Sequence, residues 1–195
     1  MPRPSSKDQI LDTAVQMASI EGLEGLSIGN LARATGKSKG GICAHFPHKV
    51  ALQVAVVERA AALFEETAVR PALKEPPGLG RLQALMEAWF DYIEAQTFAG
   101  GCFFTNALLE LDDLDSSEVL GSLRRRYAAY LTFLERCVAE AVAAGGLDAS
   151  VEPQALAWQL QGIESAALVR QALGDPGAFH QARRLTADLI ERHRP

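Results

Sequence analysis

Apolar side chains recur along this chain at three- and four-residue intervals almost from end to end. No stretch alternates apolar and polar residues for long enough to make a strand. The pattern predicts an all-α protein. Ile10, Leu11, Ala14, Val15 and Ala18 form the first stripe. Ser6-Lys7-Asp8-Gln9 ahead of it can act as a capping box, and Gly22 stops the helix. Leu26-Ser27 supplies a staple and an N-cap for a short second helix on Ile28, Leu31 and Ala32, which ends at Thr35-Gly36. Ser38 caps a third, shorter segment with Ile42 and Phe46 one turn apart. Pro47 suits the first turn of a fourth, which runs through Val50, Val54, Val57, Ala61 and Phe64.

The stretch RPALKEPPGLG, Arg70 to Gly80, holds three prolines and two glycines, so helix cannot pass through it unbroken, and it marks a boundary between modules. Leu82, Leu85, Met86, Trp89, Phe90 and Ile93 stripe a fifth helix. The run CFFTNALLEL after Gly100-Gly101 makes a sixth, and a long seventh follows Asp115-Ser116-Ser117-Glu118 and ends at Gly145-Gly146. Leu156, Leu160, Ile163 and Ala167 stripe an eighth, and Phe179, Ala182, Leu185 and Leu189 a ninth. About nine helices are therefore expected.

Composition adds limits. With 48% hydrophobic and 22% charged residues, the chain reads as an ordinary globule. No apolar run is long enough to cross a membrane and the start carries no signal-peptide core, so the protein is expected to be cytoplasmic, with no membrane partner. Cys43, Cys102 and Cys137 are far apart and never form Cys-x-x-Cys. They are read as small buried hydrophobes rather than disulfide or zinc partners. The run Glu110 to Asp115 straddles a helix break without a histidine and is read as solvated caps. No nucleophile-base pair, phosphate loop, metal spacing or cofactor fingerprint occurs, so no catalytic residue, metal or cofactor is assigned and the chain is read as no enzyme.

Charge changes the picture. The net charge is −5, yet residues 1–50 hold six basic against four acidic residues, whereas the rest holds 13 against 20. A mildly basic head sits on an acidic body, which keeps a polyanionic partner open for the head. Two short helices, Ser27 to Ala34 and Ser38 to Ala44, joined by Thr35-Gly36-Lys37, have the dimensions of a helix-turn-helix.

The run LSIGNLARATGKSKGGICAHFPHKVALQVAV resembles the DNA-binding domain of the tetracycline-repressor family of transcription regulators. The likeness rests on Ser-Ile-x-x-Leu-Ala in the second helix, Gly-x-Ser-Lys-Gly at the turn, and His-Phe-x-x-Lys-x-x-Leu leading into helix 4. The resemblance implies a three-helix head over residues 1–48 and an effector-binding and dimerisation body over 49–195, connected by helix 4. Its implied partner is double-stranded operator DNA. Ser27 and Ser38 stand where hydroxyls and helix N-termini can meet phosphate. Lys37, Lys39 and Lys49 would neutralise phosphates, and Gly40 would let the backbone approach closely. Gly41, Ala44 and His45, with Lys39, are the exposed candidates on the recognition helix. The chain departs from the family pattern at Gly41, Cys43 and Ala44, where larger polar or aromatic residues are common, so base readout is expected to be sparse.

For the body, periodicity says only core. The resemblance makes Trp89, Phe90, Phe104, Tyr127, Tyr130 and Trp158 candidates for lining a pocket for a small, largely apolar effector. It also places a homodimer interface on helices 8 and 9, where Gly162, Ser165, Ala166 and Ala167 would permit close approach. The function implied is a homodimeric repressor released from its operator by that effector. The alternative is a dimeric ligand-binding or adaptor protein of the same fold whose DNA binding is weakened or lost.

Overall fold

In the computed structural model, which describes residues 6–110 and 116–195, the apolar stripes become helices, most with the stripe turned inward. In the fourth, however, Val50, Val54, Ala61 and Phe64 are only half-buried and the inward places go to Leu52, Val56, Val57 and Ala60, and Leu185 of the ninth stripe is exposed. The helices are α1 (Ser6–Gly25), α2 (Ile28–Thr35), α3 (Lys39–Cys43), α4 (Lys49–Phe64), α5 (Leu79–Glu94), α6 (Phe103–Leu109), α7 (Ser117–Ala143), α8 (Pro153–Ala172) and α9 (Ala178–Glu191). No strand occurs among the described residues. Arg3 and Leu111 to Asp115 lie outside them.

Two local details differ from the pattern. Gly22, read as the end of the first helix, is a kink within α1, with φ 80° and ψ 164°. The carboxylate of Glu110 accepts from the Leu23 N–H at 3.0 Å, so this acid belongs to the kink rather than to solvent. Beyond Phe64, helix 4 continues through a wide π-type turn, Glu65–Val69, into a last turn, Arg70–Ala72. A proline in helix lacks an N–H and crowds the preceding turn, and the widened turn lies immediately ahead of Pro71.

By packing, the chain forms two compact units that cut it elsewhere than at residue 48 or in the Pro-rich stretch. One comprises residues 1–63 and 96–127, the other 64–95 and 128–195. In the first, Ile10, Ala14, Val15, Leu26, Leu31, Ile42, Phe46, Leu52 and Val56 are buried. Polar ties fix α1 to the segment before α6: Gln16 Nε2 donates to Thr97 O at 2.9 Å, and Gly100 N donates to Ser19 Oγ at 3.1 Å. A Cβ on Gly100 would stand 1.8 Å from Ser19 O, so this approach admits only glycine.

In the second unit, Leu82, Leu85 and Met86 of α5, Leu134, Val138 and Ala141 of α7, Leu156 and Leu160 of α8, and Ile190 of α9 share one core. Ala72 lies in that same core, and Arg81 Nε donates to Glu75 O at 3.1 Å. The prolines therefore end a helix without ending a packing unit. Arg183 of α9 reaches Glu87, Asp91 and Glu94 of α5, with its guanidinium 5.0 Å from the Phe90 ring centroid.

Candidate nucleic-acid interface

The helix-turn-helix is built by two caps and one left-handed residue. Ser27 Oγ accepts from Asn30 N at 3.1 Å and starts α2; Ser38 Oγ accepts from Gly41 N at 3.1 Å and starts α3. Between them Gly36, at φ 65° and ψ 19°, turns the chain, and Lys37 N returns to Ala32 O at 3.0 Å. Leu31 of α2, Ile42 of α3 and the adjoining Phe46 are buried, so the outer face is held by packing from beneath.

Both serine oxygens are used as acceptors in the caps, but each hydroxyl keeps its O–H to donate outward. Lys39 completes an anion-directed cluster. Its Nζ and the Ser27 Oγ each lie 3.9 Å from the point where a Cβ on Gly29 would stand, so a cation from α3 and the hydroxyl at the N-terminus of α2 meet over a bare glycine. Hydroxyl, ammonium and the positive end of the α2 dipole point the same chemistry at one place, namely a phosphate oxygen.

Lys37 and Lys39 have no ion-pair partner among the described residues, and Lys37 is half-buried while Lys39 is exposed. Gly40, Gly41, Ala44 and His45 are exposed on and just after α3. Cys43 is exposed too, which corrects its reading as a buried hydrophobe: the inward positions of this short helix go to Ile42 and Phe46, and Cys43 falls between them. Cys102 and Cys137 are buried, and burial pushes the Cys137 thiol up to about 11. Lys49 stands apart from the other lysines. Its ammonium is bound to Glu24 at the end of α1, and Gln53 Nε2 beside it donates to Leu23 O at 2.8 Å. The sequence reading counts Arg33 in the charge but gives it no role; it is exposed in the last turn of α2, next to Gly36.

The aromatic candidates divide between the units. Phe104 is buried and Tyr127 half-buried in the first. In the second, Trp89 and Phe90 are buried in edge-to-face contact at 5.2 Å, Phe90 also lies under Arg183, and Tyr130 is half-buried. Trp158 is 76% exposed. It falls on the outward side of α8, four residues before Gly162, while Leu156, Ala157 and Leu160 hold the inward side.

Residues 10–56 match the family model described as bacterial regulatory proteins, tetR family, and residues 78–186 match that described as tetracyclin repressor-like, C-terminal domain. A TetR transcriptional regulator from Chloroflexus aurantiacus J-10-FL is 22% identical, with TM-score 0.85 over 96% of this chain and 94% of that one. AibR, solved with isovaleryl coenzyme A and operator DNA, is 24% identical, with TM-score 0.65 over 82% and 83% of the two chains. A transcriptional regulator from Saccharomonospora viridis, solved with choline, is 17% identical, with TM-score 0.78 over 95% of each. At these identities the likeness is one of fold. No curated protein matches the chain.

Proposed function

The chain belongs to the tetracycline-repressor family of DNA-binding transcription regulators, and from that premise we propose that it is a homodimeric repressor which leaves its operator when a small, largely apolar effector binds. Membership makes it a regulator rather than an enzyme. The observation that carries operator binding is the cluster of Ser27 and Lys39 over Gly29, backed by the half-buried Lys37 and by the two capped helices. The phosphate contacts of this head position it, and Lys39, Gly41, Ala44 and His45 face the bases. The small side chains on α3 favour a close approach with few hydrogen bonds to base edges.

A second copy of the chain would cover the outer side of α8 and α9. Trp158, Gly162, Ala166 and Val169 follow one another at helical spacing along the outward side of α8, Leu173 continues the row just past its end, and all are exposed. A groove of about 560 Å³ runs between that side and Leu185 of α9. An apolar stripe of this length beside small residues suits helix-on-helix packing, and its self-complementarity suits a two-fold pair. The effector half of the proposal draws support from two proteins of this fold, one solved with an acyl coenzyme A and operator DNA, the other with choline.

The test is an anisotropy titration of DNA from upstream of the chain's own gene. Specific binding with a Kd of about 10⁻⁸ M or tighter at physiological salt, with two chains per site, is the expected result. Equal affinity for unrelated DNA would overturn operator recognition and leave the ligand-binding alternative.

A further inference from the structure

Glu164 occupies a place that the inward stripe of α8 reserves for hydrocarbon. It lies four residues after Leu160 and three before Ala167, and it is 3% exposed. From α7 the Tyr130 hydroxyl donates a hydrogen bond to Glu164 Oε1. The Tyr130 ring meets the Phe64 ring edge-on at 5.1 Å, and Phe64 meets Tyr92 edge-on at 5.2 Å. Four segments of the second unit, the end of α4 and helices α5, α7 and α8, thus bring one carboxyl and three aromatic rings into a single cluster.

Among the described residues no lysine, arginine or histidine forms an ion pair with Glu164, although the same unit supplies fixed partners to Glu87, Asp91, Glu94 and Glu140. Burial pushes its carboxyl up to about 8, against the pull of the Tyr130 hydrogen bond. A core that wanted only a partner for Tyr130 could use a glutamine there without holding back an ionisable group. A buried carboxyl lacking a cation, hydrogen-bonded to Tyr130 and joined through that ring to those of Phe64 and Tyr92, has the complementarity that recognises an organic cation.

We propose that Glu164 is the anionic anchor of the effector site and that the effector is an organic cation, its ammonium set against Glu164 and its apolar part among Phe64, Tyr92 and Tyr130. This rests on reading the chain as an effector-controlled regulator. Ligand entry replaces the carboxyl proton by the ammonium group, and the proton leaves to solvent.

The test uses the full chain and two soluble probes of nearly equal shape, the 2-phenylethylammonium ion and uncharged 2-phenylethanol, titrated calorimetrically at pH 7 in buffers of different ionisation enthalpy. The expected result is that the cation binds about tenfold or more tightly than the alcohol and releases about one proton. Glu164→Gln is expected to abolish both the preference and the proton release while leaving alcohol binding in place. Equal affinity for the two probes, no binding of either, or a preference that survives in Glu164→Gln would overturn the proposal. Should that variant fail to fold, Tyr130→Phe keeps the ring and removes the hydrogen bond that favours the ionised carboxyl. Weaker cation binding with unchanged alcohol binding supports the anchor, and unchanged cation binding overturns it. Operator affinity measured with the cation saturating is a separate readout. Specific cation binding that leaves operator affinity unchanged would sink effector-driven release while the Glu164 site stands.

Discussion

The ammonium of Lys49 lies 2.6 Å from Glu24 Oε2 and donates to the backbone oxygen of the same residue at 2.8 Å. A lysine placed by sequence on the DNA backbone is thus committed to the end of α1. That hydrogen bond, opposed by modest burial and aided by Gln53, holds the Glu24 carboxyl below its usual range.

This separates two lysines that the sequence treats alike. Lys39→Ala is expected to lower the slope of log K against log salt by about one unit with no change in melting temperature. Lys49→Ala is expected to change the slope by less than half of that and to lower stability by about 0.2–1 kcal/mol, the range for an exposed pair. Operator titrations from low to moderate salt, with thermal melts of both variants, check this. Equal slopes for the two variants would show that Lys49 leaves Glu24 for phosphate.

Gly41 is the weak point of the recognition helix, and a Cβ there meets only Ser38 Oγ, at 3.3 Å. Since a helical glycine costs about 1 kcal/mol relative to alanine, Gly41→Ala is expected to stabilise the head by up to about that amount, less whatever the crowded hydroxyl takes back. Gly41→Thr adds an outward hydroxyl and is expected to tighten operator binding. A loss of affinity in Gly41→Thr would instead show that DNA presses against the bare backbone of α3.

Helix positions are legible in the sequence because each stripe, cap and glycine acts within a few residues of itself. The helix-turn-helix face is legible for the same reason: Ser27, Gly36 and Ser38 do locally what their types allow. What is not legible depends on partners far along the chain. Nothing near Gly100 announces that Ser19 O will sit against it, and nothing near Lys49 announces Glu24. The Pro-rich stretch ends a helix, because proline breaks hydrogen-bonding geometry, but it does not interrupt packing, since Ala72 and Leu82 lie in one core, and that shared core is not legible locally. Trp158 could have been placed by counting, since it shares a helical row with Gly162 and Ala166. Glu164 could also have been found, as the one acid on the inward row of α8.

The carboxyl of Glu164 makes stability depend on pH. Its ordinary value is 4.5 and its folded value is about 8, so between these limits the folded chain holds a proton that the unfolded chain has released. The contribution is therefore full below about pH 4.5, declines as pH rises, and is gone once the folded carboxyl ionises near pH 8. Within that window this one group lowers unfolding free energy by up to about 1.4 kcal/mol per pH unit. Urea unfolding at pH 5.5, 7 and 8.5 is expected to show the decline in the native chain and a shallower one in Glu164→Gln. Parallel profiles would mean that Glu164 ionises in the folded state at its ordinary value.

Trp158, 76% exposed, and Leu173, 82% exposed and just past the helix end, mark the two ends of the outward row along α8, with Gly162 and Ala166 between them. If a second copy covers this row, a charge at its centre has to be desolvated in every dimer and repeats itself across the two-fold axis. Ala166→Arg is therefore expected to yield a folded monomer by sedimentation, and Trp158→Ala to weaken association with little change in helix content. Operator affinity should fall with association, because the two half-sites lie about 34–36 Å apart and one head reaches only one of them. Leu109→Arg is the control. Leu109 is 82% exposed at the end of α6, away from α8 and α9 in sequence and in packing unit, and arginine there should leave both association and DNA binding as they are. A dimer that survives Ala166→Arg would place the interface elsewhere and leave the row on α8 to another partner.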